Sequence, residues 1–196
     1  MDATNNLSSS RTFEPFVDEL TLVRRSQMGD QEMFGRLYEA YMERIYRYVY
    51  FRVADDKLAE DITSLVFLKA WGKLDTYQTA QSPFVGWLYR IAHNAIIDHF
   101  RTRKVAIPLE ETNAAELSHV DEVDEKLDLQ IQLQKLREAL QGLTEKQQQV
   151  LILKFVDGLS TTEIAQQLGK QPSAVRALQM RGLQGLAKCL ALQESK

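Results

Sequence analysis

The sequence has one cysteine, Cys189, which excludes an internal disulfide and a cysteine-based zinc site and fits a reducing cytosol. Its three histidines, His93, His99 and His119, stand at no metal-ligand spacing. There is no glycine-rich phosphate loop, and no serine or cysteine has a recognisable base nearby in sequence. These absences argue against an enzyme and give no reason to expect a metal or a cofactor. No run of about eighteen apolar residues occurs, and the opening MDATNNLSSSRTFEP has neither a charged n-region nor an apolar h-region. The expectation is a cytoplasmic protein with no membrane insertion. An excess of basic charge is missing too: the net charge is −3 and the pI about 5.7, unlike a free-standing DNA-binding protein. Charge therefore has to be read locally.

What is present is a 44% hydrophobic content over 196 residues, enough for one ordinary domain or two small ones. The first hundred residues show helical periodicity and no alternating strand pattern, so the predicted fold class is all-α. Residues 1–17 are polar, broken by Pro15, and read as a disordered tail. From Asp18 to Val53, Phe34, Leu37, Tyr38, Tyr41, Ile45 and Val49 recur at three- and four-residue steps, with a break between two helices at Gly29-Asp30. Ala54 to Trp71 reads as a third helix opened by acidic residues, and Leu74 to Pro83 as a loop.

The next stretch, Ser82 to Lys104, organises the first half. On a helix, Leu88, Ile91, Ala92, Ala95 and His99 share one stripe and read as core. Trp87, Arg90, Asn94, Ile97 and Arg101 share another, a mixture suited to a surface that meets nucleic acid. Basic charge gathers at Arg101, Arg103 and Lys104, which also complements the helix dipole. Past Pro108 the composition turns acidic, and residues 106–126 read as a flexible linker.

Helical spacing resumes from Leu127, and Thr144 to Gln147 and Ser160 to Glu163 each have the form of a capping box. DGLSTTEIAQQLGKQPSAVRALQMRGLQGL then has the layout of a helix-turn-helix, with a tight turn at Gly169 and a second helix entered at Pro172. Ile164, Leu168, Val175 and Leu178 can form its seam. Lys170, Gln171, Ser173, Arg176, Gln179 and Arg181 are left for DNA, and no acidic residue lies between Lys170 and Lys188.

Taken in order, Gly29-Asp30 with Phe34, Leu37 and Tyr41, then AEDITSLVFLKAW, FVGWLYRIAHNAIIDHFRTR, Leu143 to Val150 and LSTTEIAQQLG resemble the extracytoplasmic-function sigma factors of the sigma-70 family. The resemblance runs from about Asp18 to Leu192. It implies sigma region 2 over 18–105, the acidic linker over 106–126, and sigma region 4 over 127–192. It also implies promoter-specific transcription initiation with bacterial core RNA polymerase. Asp61, Phe67, Leu68 and Trp71 would meet the β′ clamp helices or shape the face that does, and region 4 would sit by the β flap. Tyr77, Trp87, Arg90, Asn94, Arg101 and Arg103 would act at the minus-ten element, where Tyr77 and Asn94 could hold a flipped base. The Pro172 helix would enter the major groove of the minus-thirty-five element. An anti-sigma factor is a further partner the resemblance implies. No fused regulatory domain is expected after region 4.

Two departures stand out: Ser64-Leu65 replaces a more polar-acidic pair, and Ala177-Leu178 follows Val175-Arg176 where Ser-Arg is common. A helix-turn-helix regulator of the response-regulator type would suit LSTTEIAQQLG equally, but it needs a receiver or ligand domain that the helical first half does not resemble.

Overall fold

The computed structural model describes residues 18–53, 55–80, 82–106 and 124–194. The N-terminal tail and most of the acidic linker lie outside the described residues. Among the described residues there are eight α-helices and no strand. In the first group, α1 (Glu19–Gln27), α2 (Gln31–Tyr50), α3 (Asp56–Gly72) and α4 (Phe84–Ala106) pack together. A single 3₁₀ turn, Leu74–Thr76, follows α3. In the second, α5 (Asp124–Gln141), α6 (Glu145–Leu151), α7 (Thr161–Leu168) and α8 (Pro172–Glu194) pack around α8. A π-type segment, Ile152–Val156, extends α6.

The helix starts follow from side-chain caps. Asp18, Asp30 and Asp55 accept from the backbone N–H groups of Thr21, Met33 and Leu58 at 3.0, 3.3 and 2.7 Å. Each acid also faces the positive end of its helix. The Ser160 and Glu163 side chains satisfy each other's backbone N–H groups at 3.2 and 2.7 Å, and Thr144 N–H donates to Gln147 at 3.1 Å. α7 ends at Gly169, whose φ of 60° is the left-handed conformation glycine adopts without strain.

The core face of α4 differs from the expected stripe. Phe84, Leu88, Tyr89, Ala92, Ala95 and Ile96 are buried, whereas Ile91 and His99 are only half-buried. The buried arc is wider than one stripe because α4 packs on α2 and α3 while the second helical group covers a further side of it.

That second contact joins the two groups. Arg137 of α5 is buried: it donates to Asp56 at 2.6 Å and to the Val53 carbonyl at 3.0 Å, and its guanidinium lies 3.7 Å over the Tyr50 ring. Arg52 is equally covered, between Tyr48 at 3.1 Å and Glu145 at 3.4 Å. Arg44 faces Asp157 at 3.9 Å and donates to the Tyr89 hydroxyl at 2.9 Å. A 560 Å³ cleft between the end of α4 and the α5–α6 turn is lined by Ile96, Ile97, Phe100, Leu143, Arg52 and Glu145, among others.

Candidate nucleic-acid and partner interfaces

The first candidate surface is the outer face of α3. Asp61, Leu65 and Leu68 recur at four and three residues, so they stand one above another, and all three are exposed, Leu68 by 68%. Phe67 and Trp71 take a different part. The Phe67 ring is buried edge-on against Tyr38 at 4.8 Å, and half-buried Trp71 packs on Phe34 at 4.8 Å. They back the surface without presenting it. Leu65, and Tyr38 and Met42 one turn apart on α2, are exposed apolar side chains that the sequence reading did not assign to this role. Their signal was the run of large apolar residues on the side of each helix away from its buried stripe.

The second candidate surface is α4 with the loop before it. Arg90, Asn94 and Arg101 are exposed, and Trp87 and Ile97 half-buried, so the five share an outward stripe as their spacing requires. The Arg90 guanidinium lies 2.6 Å from Ser82 Oγ, and Arg101 pairs with Asp98 at 3.1 Å on its own helix. The Arg103 side chain lies outside the described residues. Tyr77 is placed otherwise than expected. Its ring is buried between Phe84 at 5.4 Å and Trp87 at 5.0 Å, and its hydroxyl donates to the Ser82 carbonyl at 2.8 Å. A ring so covered offers no open face for a base to stack on, so the stacking role expected of Tyr77 is corrected here. Burial pushes its hydroxyl up to about 12, which keeps it a donor.

The third candidate surface is the helix-turn-helix. Lys170 N–H closes the turn on the Ala165 carbonyl at 2.9 Å, and Ile164 and Val175 are buried in the seam with Leu168 and Leu178 partly so. Gln171, Ser173, Arg176 and Arg181 are exposed at and beyond the start of α8, while Lys170 and Gln179 are half-buried. Arg181 folds back, its Nε donating to the Ala177 carbonyl at 3.2 Å. Met180, exposed by 60%, lies one turn after Arg176, an apolar side chain beside the polar ones that the sequence assigns to DNA.

Among the described residues no group of three histidine, cysteine or acidic side chains could hold a metal ion, and no helix is long and apolar enough to cross a membrane. Two electrostatic perturbations lie between the two helical groups. Burial pushes the Asp157 carboxyl up to about 6 against the opposing pull of Tyr89 and Arg44. Burial and then the Arg52 charge lower His93, which sits 3.4 Å from Glu145. Nothing in the sequence pattern marked these groups.

Comparison with known proteins covers both groups. The Sigma-70 region 2 family model matches residues 37–105, and the Sigma-70, region 4 model matches residues 133–186. The chain is 36% identical over 176 residues to the ECF RNA polymerase sigma factor BldN of Streptomyces coelicolor, covering 87% of this chain and 65% of that protein. It is 26% identical over 173 residues to the ECF RNA polymerase sigma factor SigK of Mycobacterium tuberculosis, covering 86% of this chain and 91% of SigK. The chain thus spans about two thirds of the BldN length. The fold is similar to that of CnrH in its complex with the cytosolic domain of CnrY, with a TM-score of 0.66, 23% identity, and coverage of 89% of this chain and 96% of that one.

Proposed function

Because the chain belongs to the extracytoplasmic-function sigma factors of the sigma-70 family, we propose that it directs promoter-specific initiation by bacterial core RNA polymerase in the cytoplasm. It acts by binding; bond formation belongs to the polymerase. The first helical group, 18–105, docks on the core enzyme and opens the minus-ten element. The second, 127–192, places α8 in the major groove of the minus-thirty-five element, and the acidic segment 106–126 joins them. An anti-sigma factor restrains it, as family membership suggests.

The observation that carries this reading is α4. Its core side is buried, yet Arg90, Asn94 and Arg101 on a separate stripe stay exposed, at the end of a loop held against the same helix. Solvation alone does not call for an amide between two guanidinium groups beside a half-buried tryptophan. Capture of an unpaired base does: an amide reads its edge while cations hold the flanking phosphates. On α3, Leu65 and Leu68 supply apolar contact for a helical partner with Asp61 beside them, over a backing of Phe67 and Trp71. At α8, Gln171, Ser173 and Arg176 stand where a recognition helix contacts base edges and phosphates, with Lys170, Gln179 and Arg181 flanking them.

Transcription with purified core polymerase on a genomic promoter library tests the reading. Initiation from a defined promoter set only when the protein is added is expected, together with weak binding of the free protein to duplex DNA, since its net charge is −3. Tight sequence-specific binding by the free protein without any effect on initiation would favour a conventional regulator instead.

A further inference from the structure

The loop that leads into α4 is tied down by half-buried Gln27 and buried Tyr77. Gln27, the last residue of α1, reaches across 47 and 50 positions of chain to donate from one amide nitrogen to the carbonyls of Leu74 and Tyr77, each at 2.9 Å. Those carbonyls lie at the two ends of the 3₁₀ turn that precedes the loop. A single side-chain amide satisfying two carbonyls from a different helix is specific geometry: its NH₂ has two donors, and both are used.

Tyr77 continues the chain of contacts. Its ring is wedged between Phe84 and Trp87 in the first turn of α4, and its hydroxyl donates to the Ser82 carbonyl at 2.8 Å, closing the loop from 77 to 82 on itself. Ser82 in turn holds the Arg90 guanidinium at 2.6 Å. Gln27, Tyr77, Ser82 and Arg90 thus form a continuous run of polar contacts from α1 to the outward stripe of α4. Between the tied ends, Thr79 and Ala80 are exposed.

We propose that Gln27 and Tyr77 are positioning residues for promoter opening, fixing the width of the 77–82 loop and the aim of Arg90 without touching DNA themselves. The inference rests on the functional reading above. A loop with both ends fixed presents its exposed residues and Arg90 at one spacing, so an extruded base meets a site whose ordering cost has already been met. Without the Tyr77 hydroxyl bond the ring stays packed, but Ser82 and the arginine it holds are released.

The test uses the full chain with core polymerase. Tyr77→Phe removes one hydroxyl and keeps the ring, and Gln27→Leu keeps the size of the side chain and removes both donors. For Tyr77→Phe the rate of open-complex formation on a duplex promoter is expected to fall about tenfold, the order of one net hydrogen bond. Core-polymerase affinity should be unchanged, the thermal midpoint should fall by no more than the few degrees that the lost hydrogen bonds are worth, and the defect should be smaller on a template mismatched across the minus-ten region. Gln27→Leu is expected to give the same pattern and, combined with Tyr77→Phe, less than the product of the two effects, because both act through one loop. Opening at the wild-type rate in both variants, equal loss on duplex and mismatched templates, or a loss of core-polymerase affinity as large as the loss in opening rate would each overturn the proposal. If the unaltered protein gave no initiation with core polymerase, the functional reading itself would fail, and that control separates the two.

Discussion

Asp157 sits in the least favourable setting of any carboxylate described. Its side chain is fully covered, its polar neighbours include the Tyr89 hydroxyl and Arg44, and Arg44 lies 3.9 Å away, beyond direct bonding. Burial raises its pKa to about 6 from an unfolded value of 3.8. The folded protein therefore holds this proton more tightly than the unfolded chain does. Stability from this group is greatest below about pH 4, falls as pH rises to about 6, and stays reduced above that, by roughly 2–3 kcal/mol for a shift of this size. Asp157→Asn should raise the thermal midpoint at pH 7.5, and its advantage over the wild type should shrink as pH is lowered from 6 to 4; a pH-independent difference between the two proteins would refute this. Asn94 offers the opposite case. It is exposed, so Asn94→Ala should leave the thermal midpoint and core affinity intact while slowing open-complex formation on duplex promoters more than on pre-melted ones. A large drop in stability would make it a structural residue.

At the scale of the helix, α8 carries the sharpest expectation. Arg176 is exposed with no partner on its own helix, whereas Arg181 is engaged with the Ala177 carbonyl. Arg176→Ala should weaken use of the minus-thirty-five element by about 1–3 kcal/mol if it reads a base edge, relaxing preference at one position, and leave core binding unchanged. Initiation unchanged at every promoter would remove this helix from the DNA contact. The helix boundaries were largely legible in the sequence because they rest on local chemistry: Asp30 caps α2 after Gly29, the boxes at Thr144 and Ser160 start α6 and α7, and Gly169 ends α7. The sequence puts the start of the helical spacing at Leu127, whereas α5 begins at Asp124, because acidic residues suit a linker and a helix N-terminus alike. Less legible was which side of α4 is covered. Tyr89 and Ile96 are buried, Tyr89 where Arg44 and Asp157 converge, and a partner of that kind leaves no periodic trace. The buried ring of Tyr77 was missed for a related reason. An aromatic in a polar loop reads as exposed until the aromatics it stacks on, Phe84 and Trp87, are brought beneath it by the turn.

At the scale of the molecule, the two helical groups are held together by arginines reaching from one to the other, and that arrangement conflicts with simultaneous contact to both promoter elements. The element names place their centres about 25 base pairs apart, which is about 85 Å of duplex. A compact chain of this length has a radius of gyration of only about 16 Å. On the proposed function the two groups therefore have to separate on the promoter; 17 residues lie between α4 and α5, and a chain of that length spans at most about 58 Å. Separation breaks the contacts of Arg137 with Asp56, Val53 and Tyr50, all of which cross from the second group to the first. Arg137→Ala removes them while leaving Asp56 exposed to water, at an expected cost to the closed arrangement of about 1.5–3 kcal/mol, or ten- to hundredfold in the equilibrium between closed and open forms. Small-angle scattering should show a larger radius of gyration for the variant, and its affinity for core polymerase should rise, because binding no longer has to break that contact first. Opening also frees Arg44 and the buried Asp157, so the Arg137→Ala protein should lose most of the pH dependence that Asp157 gives the closed form. An unchanged radius of gyration together with unchanged core affinity would mean that Arg137 does not hold the closed form together.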